Sequence, residues 1–256
     1  MPEVLIAIPT YNERDNVTRI AEVILREVPQ SEILFVDDNS PDGTGQIIQR
    51  MSADDPRIHS IHRESKQGLG RAYVNAFKWA LQKDYQYIFE MDADFSHDPT
   101  EIPRFLEAAR CADVVLGSRY IGGVRVINWP LNRLILSRAA GSYVRLITGM
   151  PFTDPTSGYK CYRRAVLEEI PLDRISSNGY AFQIETIHYA WRLGFRVVEI
   201  PIVFVERRAG SSKMSRSIVL EALRMVWQLL IQNRLRRRPS GINPRSIAVA
   251  GKDSKP

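Results

Sequence analysis

The chain has 256 residues, 44% hydrophobic and 25% charged, enough apolar material for one globular unit and too much for a disordered chain. Lys and Arg number 35 against 29 Asp and Glu, a modest positive balance that suits nucleotides, phospholipid head groups or nucleic acid without choosing among them. Cys111 and Cys161 form no CxxC pair, which argues against a disulfide framework or a cysteine zinc site; with no basic leader, long apolar run or cleavage site at Met1 to Ile8, the chain reads as a protein of a reducing, cytoplasmic compartment.

In chain order, short β-branched runs alternate with helical patterns. Strands are predicted at Val4 to Ile8, Ile33 to Val36, Ile58 to Ile61, Tyr85 to Met91 and Val114 to Leu116. Helices are predicted between them at Val17 to Glu27, Thr44 to Asp54, Arg71 to Gln82 and Thr100 to Arg110. This alternation predicts an α/β fold with a mostly parallel central sheet covered by helices on both faces, its ligands gathered at the carboxyl ends of the strands. Beyond Arg119 the pattern is less regular: a helix at Leu131 to Thr148, a strand at Tyr159 to Tyr162, a helix at Phe182 to Leu193 and a strand at Val197 to Ile200. That half is expected to form the acceptor side. Ile218 to Ile231 is strongly apolar, but Glu221, Arg224, Gln228 and Gln232 form one polar stripe at helical spacing. At ~1.5 Å per residue such a helix reaches only about 21 Å, too short to span a bilayer core of ~30 Å. With Arg234, Arg236, Arg237 and Arg238 following, it is expected either to lie in a membrane interface or to pack on the domain. Residues 239–256 are polar and expected to be disordered.

Three polar clusters follow the first, second and fourth strands. Asp92 and Asp94, one residue apart at a strand end, suit a hard cation such as Mg²⁺ or Mn²⁺ that also takes phosphate oxygens; the competing reading is that Asp94, Ser96 or Asp98 caps the next helix. Asp37 and Asp38 end the second strand where a carboxylate can meet the ribose or base of a nucleotide, and Asp38 could accept two hydrogen bonds from a guanine edge. The turn Asn39-Ser40-Pro41-Asp42-Gly43 accounts for its own residues, but not for two acids before it. Pro9 and Tyr11 can wall a base, while Asn12, Glu13 and Asn16 serve equally well as helix-cap residues. Arg207, Arg208 and Lys213 stand in a Gly- and Ser-containing segment suited to closing over a diphosphate and stabilising a leaving group; a solvated charge run is the alternative. Arg119, Arg133 and Arg138 could bind a second phosphate bidentately. Gly68-Leu69-Gly70 lacks the third glycine of a dinucleotide fingerprint, no GxxxxGK[ST] occurs, and His59, His62, His97 and His188 show no ligand spacing. His97 is expected to cap or pack. No nucleic-acid module accompanies the basic charge.

Pro-Thr-Tyr-Asn-Glu at 9–13, Val-Asp-Asp-Asn-Ser-Pro-Asp-Gly-Thr at 36–44, Gly-Leu-Gly at 68–70 and Met-Asp-Ala-Asp-Phe-Ser-His-Asp-Pro at 91–99 stand in order, followed by Gly-Ser-Arg-Tyr at 117–120, Ser-Arg at 137–138, Thr-Ser-Gly-Tyr-Lys at 156–160 and Arg-x-x-Gly-x-Ser-Lys at 207–213. On these residues the chain, to about Leu235, resembles the polyprenol-phosphate mannose synthases (dolichol-phosphate mannosyltransferases) among inverting family 2 glycosyltransferases. The resemblance implies a GT-A-like nucleotide-diphospho-sugar transferase fold, with a catalytic domain at 1–216, an amphipathic segment at 217–238 and a tail at 239–256. It implies that Pro9, Tyr11, Glu13, Val36 and Asp38 hold the GDP part of GDP-mannose, and Asp92, Ala93 and Asp94 its ribose and diphosphate. Asp94 would be the main ligand of Mg²⁺ or Mn²⁺, with Asp92 beside it. Arg119, Arg207 and Lys213 would contact donor or incoming phosphate, with Asp94, Arg207 and Lys213 as the catalytic set; Arg119, Arg133, Ser137 and Arg138 would receive the acceptor phosphate. Some relatives carry Gln two residues past the second acid; this chain has Ser96. The acceptor implied is a polyprenyl phosphate at a membrane surface, with a separate membrane-anchoring partner left open. Such a phosphate is already ionised near neutral pH, so it attacks without a general base and the protein's task is positioning and charge stabilisation. The same chemistry with UDP-glucose, and a non-catalytic nucleotide- or lipid-binding module, are the alternatives.

Overall fold

A computed structural model describes residues 3–175, 177–205 and 224–231. Its strands are β1 (Val4–Thr10), β2 (Glu32–Asp37), β3 (Ile58–His62), β4 (Tyr87–Glu90), β5 (Val114–Ser118), β6 (Val126–Ile127), β7 (Lys160–Arg163), β8 (Val197–Pro201) and β9 (Phe204–Val205). The helices are α1 (Val17–Glu27), α2 (Thr44–Asp54), α3 (Leu69–Leu81), α4 (Ile102–Ala109), α5 (Leu131–Thr148), α6 (Arg164–Glu169) and α7 (Gly179–Leu193). Seven strands form one sheet in the order β3-β2-β1-β4-β7-β5-β8, and β6 pairs with β9 in a separate ribbon. β7 runs antiparallel to both β4 and β5, and the other pairs are parallel. This is the expected α/β architecture.

β1, β2 and β5 are buried on both faces, which is why they read as largely continuous apolar runs, whereas the edge strand β3 is half exposed. In β1, Leu5 and Ala7 face one layer while Val4, Ile6 and Ile8 face the other. The first layer holds Tyr73 and Phe77 of α3 and Phe182, Ile184 and Ile187 of α7; the second holds Val17, Ile20 and Ile24 of α1, Ile48 of α2, and Ile102 and Phe105 of α4. The predicted helix at Thr100 to Arg110 opens as a 3₁₀ turn, Pro99–Glu101, before α4. Asp98 caps it by accepting the Thr100 N–H at 3.0 Å, with Pro99 where its missing N–H costs nothing. The predicted strand from Tyr85 to Met91 shortens to β4, and β6 and β9, two residues each, carry too little pattern to be foreseen.

The second half of the chain, expected as an acceptor side, also contributes β7 and β8 to the central sheet. Residues 224–231 are helical, and Met225, Val226 and Leu229 are buried in the layer of α3 and α7. Arg224 and Gln228 stay exposed on the predicted polar stripe. Met225, Val226 and Leu229 are thus spent on packing, while Trp227 and Ile231 stay 51% and 58% exposed. The remainder of 217–238, the tail at 239–256 and residues 206–216 lie outside the described residues.

Candidate active site

β1 has β2 on one side and β4 on the other, so the strand order reverses there. In such sheets the loops at the carboxyl ends of the two diverging strands open a ligand crevice, and here these are residues 11–16 after β1 and 91–98 after β4. Pro9 and Val36 lie side by side in register at the mouth of the crevice. The Val36 side chain is buried in the core, so Val36 can offer a nucleotide only backbone.

The adjacent acids of β2 divide their work. Asp37 ties the loops together: its Oδ1 accepts the Thr10 hydroxyl at 3.0 Å and the Ser40 hydroxyl at 2.5 Å, and its Oδ2 accepts the Ser40 N–H at 3.1 Å. The ties continue as the N–H groups of Asn12 and Glu13 donate to Ser40 Oγ and Thr44 Oγ1, both at 3.0 Å. Asn12 itself has φ +62°, a left-handed conformation that asparagine tolerates. Glu13 accepts the Asn16 side-chain amide at 2.7 Å. Asp38 faces an arginine the sequence did not single out: Arg63 Nη1 lies 2.7 Å from Asp38 Oδ1, and both side chains are buried. Burial raises the Asp38 pKa and outweighs the opposing pull of Arg63. Lys66 stands 3.6 Å over the Tyr11 ring, so an aromatic–cation pair and a buried ion pair follow the ends of β1, β2 and β3.

After β4, Met91 donates its N–H to Ala7, and the chain then leaves the sheet. Asp94 accepts the Ser96 N–H at 3.0 Å, and Asp92 donates its N–H to Nδ1 of buried His97 at 3.1 Å. Phe95 between them has φ +60°. Ala93 is buried in the core. No cluster of three or more His, Cys, Asp or Glu able to hold a metal converges among the described residues. Asp92 and Asp94, two carboxylates on one turn, are of the donor chemistry that suits a hard cation completing its shell with phosphate and water oxygens. The buried Ser96 hydroxyl, two residues beyond Asp94, has no hydrogen-bond partner among the described residues, and it adds an oxygen donor of the right chemistry.

On the other side of the crevice, Arg119 follows β5 and is fully engaged by Asp154. Its Nε and Nη2 donate at 2.7 and 2.6 Å to the two carboxylate oxygens, its N–H donates to Oδ2 at 3.0 Å, and Nη2 also reaches the Thr156 hydroxyl at 2.8 Å. Burial alone would lower the Arg119 pKa, but the Asp154 carboxylate holds it above its ordinary value. The guanidinium carbon lies 5.5 Å from the Trp129 and Tyr120 ring centroids and 5.6 Å from that of Phe204. Spacing of four residues puts Arg133 and Ser137 on the same side of α5, where Arg133 covers Trp129 at 4.2 Å and Ser137 is 2.6 Å from the Tyr120 hydroxyl. Arg138 lies 5.6 Å from the Tyr120 ring. Arg119, Arg133, Ser137 and Arg138 thus gather around two aromatic rings. His97 and Phe204 join this cluster to the carboxylate loop: their ring centroids are 5.7 Å apart, and Phe204 meets Trp129 at 5.5 Å. Arg207 and Lys213 lie outside the described residues, two and eight positions beyond β9.

Sequence reasoning missed Arg63, Lys66 and Asp154. Asp154 carried a signal, standing just before Thr-Ser-Gly-Tyr-Lys; Arg63 carried none. The glycines at 68 and 70 serve packing. Gly68 opens α3 at φ +99°, and a Cβ on Gly70 would stand 2.1 Å from the Ser177 carbonyl oxygen.

Comparison with known proteins shows the family to which this fold belongs. The profile of "Glycosyl transferase family 2" matches residues 5–171. An undecaprenyl-phosphate mannosyltransferase of Micrococcus luteus is 48% identical over 220 residues, 86% of this chain and 90% of that protein. A polyprenol monophosphomannose synthase of Mycolicibacterium smegmatis is 48% identical over 235 residues, 91% of this chain and 89% of that protein. Among solved structures, glucosyl-3-phosphoglycerate synthase of Mycobacterium tuberculosis in complex with Mn²⁺, UDP and phosphoglyceric acid superposes with a TM-score of 0.65 at 16% identity, covering 88% of this chain and 78% of that one; at that identity the likeness concerns the fold. The matched profile spans the strands and loops that build the crevice, and the chain belongs to glycosyl transferase family 2.

Proposed function

We propose that the chain transfers mannose from GDP-mannose to a polyprenyl phosphate, with inversion, to give a β-linked polyprenyl-phosphate mannose. The observation that carries this reading is the pairing of a two-carboxylate loop, Asp92 and Asp94, with a separate arginine and serine cluster, Arg119, Arg133, Ser137 and Arg138, across one crevice. The names of two relatives that match nine-tenths of the chain at 48% identity support the mannosyl and polyprenyl assignments. Tyr11, Glu13 and Asp38 hold the nucleoside, and Asp92 and Asp94 its ribose and diphosphate end with the cation. A divalent cation there, Mg²⁺ or Mn²⁺, supplies charge to the departing diphosphate. Arg133, Ser137 and Arg138 fix the acceptor phosphate so that an ionised oxygen faces the anomeric carbon, and the sugar passes to it in line. With the nucleophile already charged, no side chain has to remove a proton. Arg207 and Lys213 take up the charge on the leaving GDP.

The acceptor's lipid tail requires a place at a membrane, and α5 supports that. Leu131, Ile135 and Leu146 are 71%, 59% and 82% exposed and fall within about 60° of one another around the helix. Arg138 and Arg145 border this stripe, the arrangement of a helix lying at a lipid interface with its basic edge on anionic head groups. Among the described residues no helix is long and apolar enough to cross a membrane.

The test is transfer of labelled mannose from GDP-mannose to a short polyprenyl phosphate in detergent with Mg²⁺ or Mn²⁺, with Asp94→Asn alongside. Lipid-linked label that vanishes in the variant is the expected outcome. Product from UDP-glucose alone would reassign the donor, and bound nucleotide with no product from any donor would leave a binding module.

A further inference from the structure

Beyond the residues assigned to substrate, His97 occupies a position that simple packing does not require. β1 and β7 satisfy the backbone of β4 as far as Glu90 and Met91. The Asp92 N–H is the first beyond that ladder, and His97 Nδ1 accepts it at 3.1 Å. The same nitrogen lies 3.9 Å from Asp92 Oδ2, so the ring stands directly under the carboxylate. The ring is itself fixed, stacked on Tyr159 with centroids 4.9 Å apart and planes 20° apart, and flanked edge-on by Phe204. The loop it braces stores strain, since Phe95 is held at φ +60°, a conformation unfavourable for a bulky residue. A strained turn persists where the surroundings over-determine it, and here the restraints are the Ser96 N–H on Asp94 Oδ1, the Asp98 cap and the His97 acceptor. A phenylalanine at position 97 would fill the same space and stack as well. It would leave the Asp92 N–H without its acceptor.

We propose that His97 is a positioning residue: by accepting the Asp92 N–H through Nδ1 it holds the strained 92–96 turn so that Asp92 and Asp94 present their carboxylates together to a cation-bound diphosphate. The proposal rests on the reading of that turn as the cation and diphosphate loop. Removing partners that orient metal-binding groups typically weakens metal affinity about 10- to 100-fold, and a loss of that size is expected for the Mn²⁺-dependent part of nucleotide binding.

The experiment is calorimetric titration of GDP into the full chain with and without Mn²⁺, for the parent, His97→Phe and His97→Asn, with thermal melts of each. Asn places its side-chain oxygen near the position of Nδ1, whereas Phe keeps the ring and loses the acceptor. The expected result is that Mn²⁺ tightens GDP binding to the parent, that His97→Phe loses at least about tenfold of that gain while its metal-free GDP affinity is unchanged, and that His97→Asn stays within about threefold of the parent. Full retention of the Mn²⁺ effect in His97→Phe overturns the proposal. Equal loss in both variants does so too, because packing alone would then explain the residue, as does a matching loss of metal-free binding in His97→Phe. A parent whose GDP affinity ignores Mn²⁺ sinks instead the reading of Asp92 and Asp94 beneath it.

Discussion

The Arg119–Asp154 pair offers a direct test of how the acceptor side is held together. Asp154→Ala removes both carboxylate oxygens from a guanidinium that is 4% exposed, where Asp154 itself is 1% exposed, and strands three donor contacts of 2.6, 2.7 and 3.0 Å. Breaking a buried ion pair from one side typically costs about 3–5 kcal/mol, because the survivor is left charged and unsolvated. For a chain of this size each kcal/mol moves the melting temperature by roughly 2–4 °C, so a fall of about 10 °C is expected. Removing both charges together in an Arg119→Met, Asp154→Leu double variant should recover most of that loss, since apolar replacements of similar volume usually match a buried pair. Melting curves of the parent, Arg119→Met, Asp154→Leu and the double variant close the cycle. A double variant no more stable than Asp154→Ala would refute the argument, as would a single variant that melts like the parent.

Gly70→Ala forces a methyl to within 2.1 Å of the Ser177 carbonyl oxygen; overpacking of this kind costs about 1–3 kcal/mol, measurable by urea denaturation, and an unchanged midpoint would contradict the packing role given to Gly70. Leu146→Ser withdraws a fully exposed apolar contact worth about 2 kcal/mol on insertion, so sedimentation with phosphatidylglycerol vesicles should weaken roughly thirtyfold with no change in melting temperature; undiminished sedimentation removes α5 from the interface. Burial raises the Glu185 pKa, against the opposing hydrogen bonds of Ser177. A carboxyl with a raised folded pKa contributes stability below its unfolded pKa and loses it as pH rises through the folded value. Glu185→Gln should therefore gain on the parent in melting temperature between pH 5 and pH 8, and a constant gap across that range would show that Glu185 is not titrating as argued.

The first two-thirds of the architecture could be read from the chain because each strand there is a short β-branched run and each helix has one apolar stripe. β7 could be read as a strand but not placed. Its pairing with β4 and β5 is set by contacts more than forty residues away, and Lys160 puts a charge inside the sheet, beside Glu90 at 3.6 Å, where an apolar residue is the ordinary expectation. Burial pushes Glu90 up and Lys160 down in pKa, a local conflict that no periodicity announces. In the crevice, Asp38, Asp92 and Asp94 were legible because strand ends collect ligands, and the position of Asp98 before Pro99 already spelled a cap. Asp38 was singled out over Asp37 for the base, but only the folded loops show why the two differ, Asp37 being tied to Thr10 and Ser40 and Asp38 to Arg63. His97 was read as a capping or packing residue, and its packing proved correct, but the acceptor role of Nδ1 depends on where the sheet's ladder stops. Arg119 and Asp154 are 35 residues apart in sequence, too far for either to advertise the other.

The antiparallel entry of β7 has a further consequence for how the chain is made. β4 and β5 are not bonded to each other; each is bonded to β7. Until residues 160–163 have been synthesised, the block β3-β2-β1-β4 and the strand β5 each carry an open edge, the kind of surface that recruits foreign strands. N-terminal fragments ending before β7 should therefore be aggregation-prone however many site residues they contain, and any division of this chain for expression has to fall after β8, which covers the remaining edge of β5.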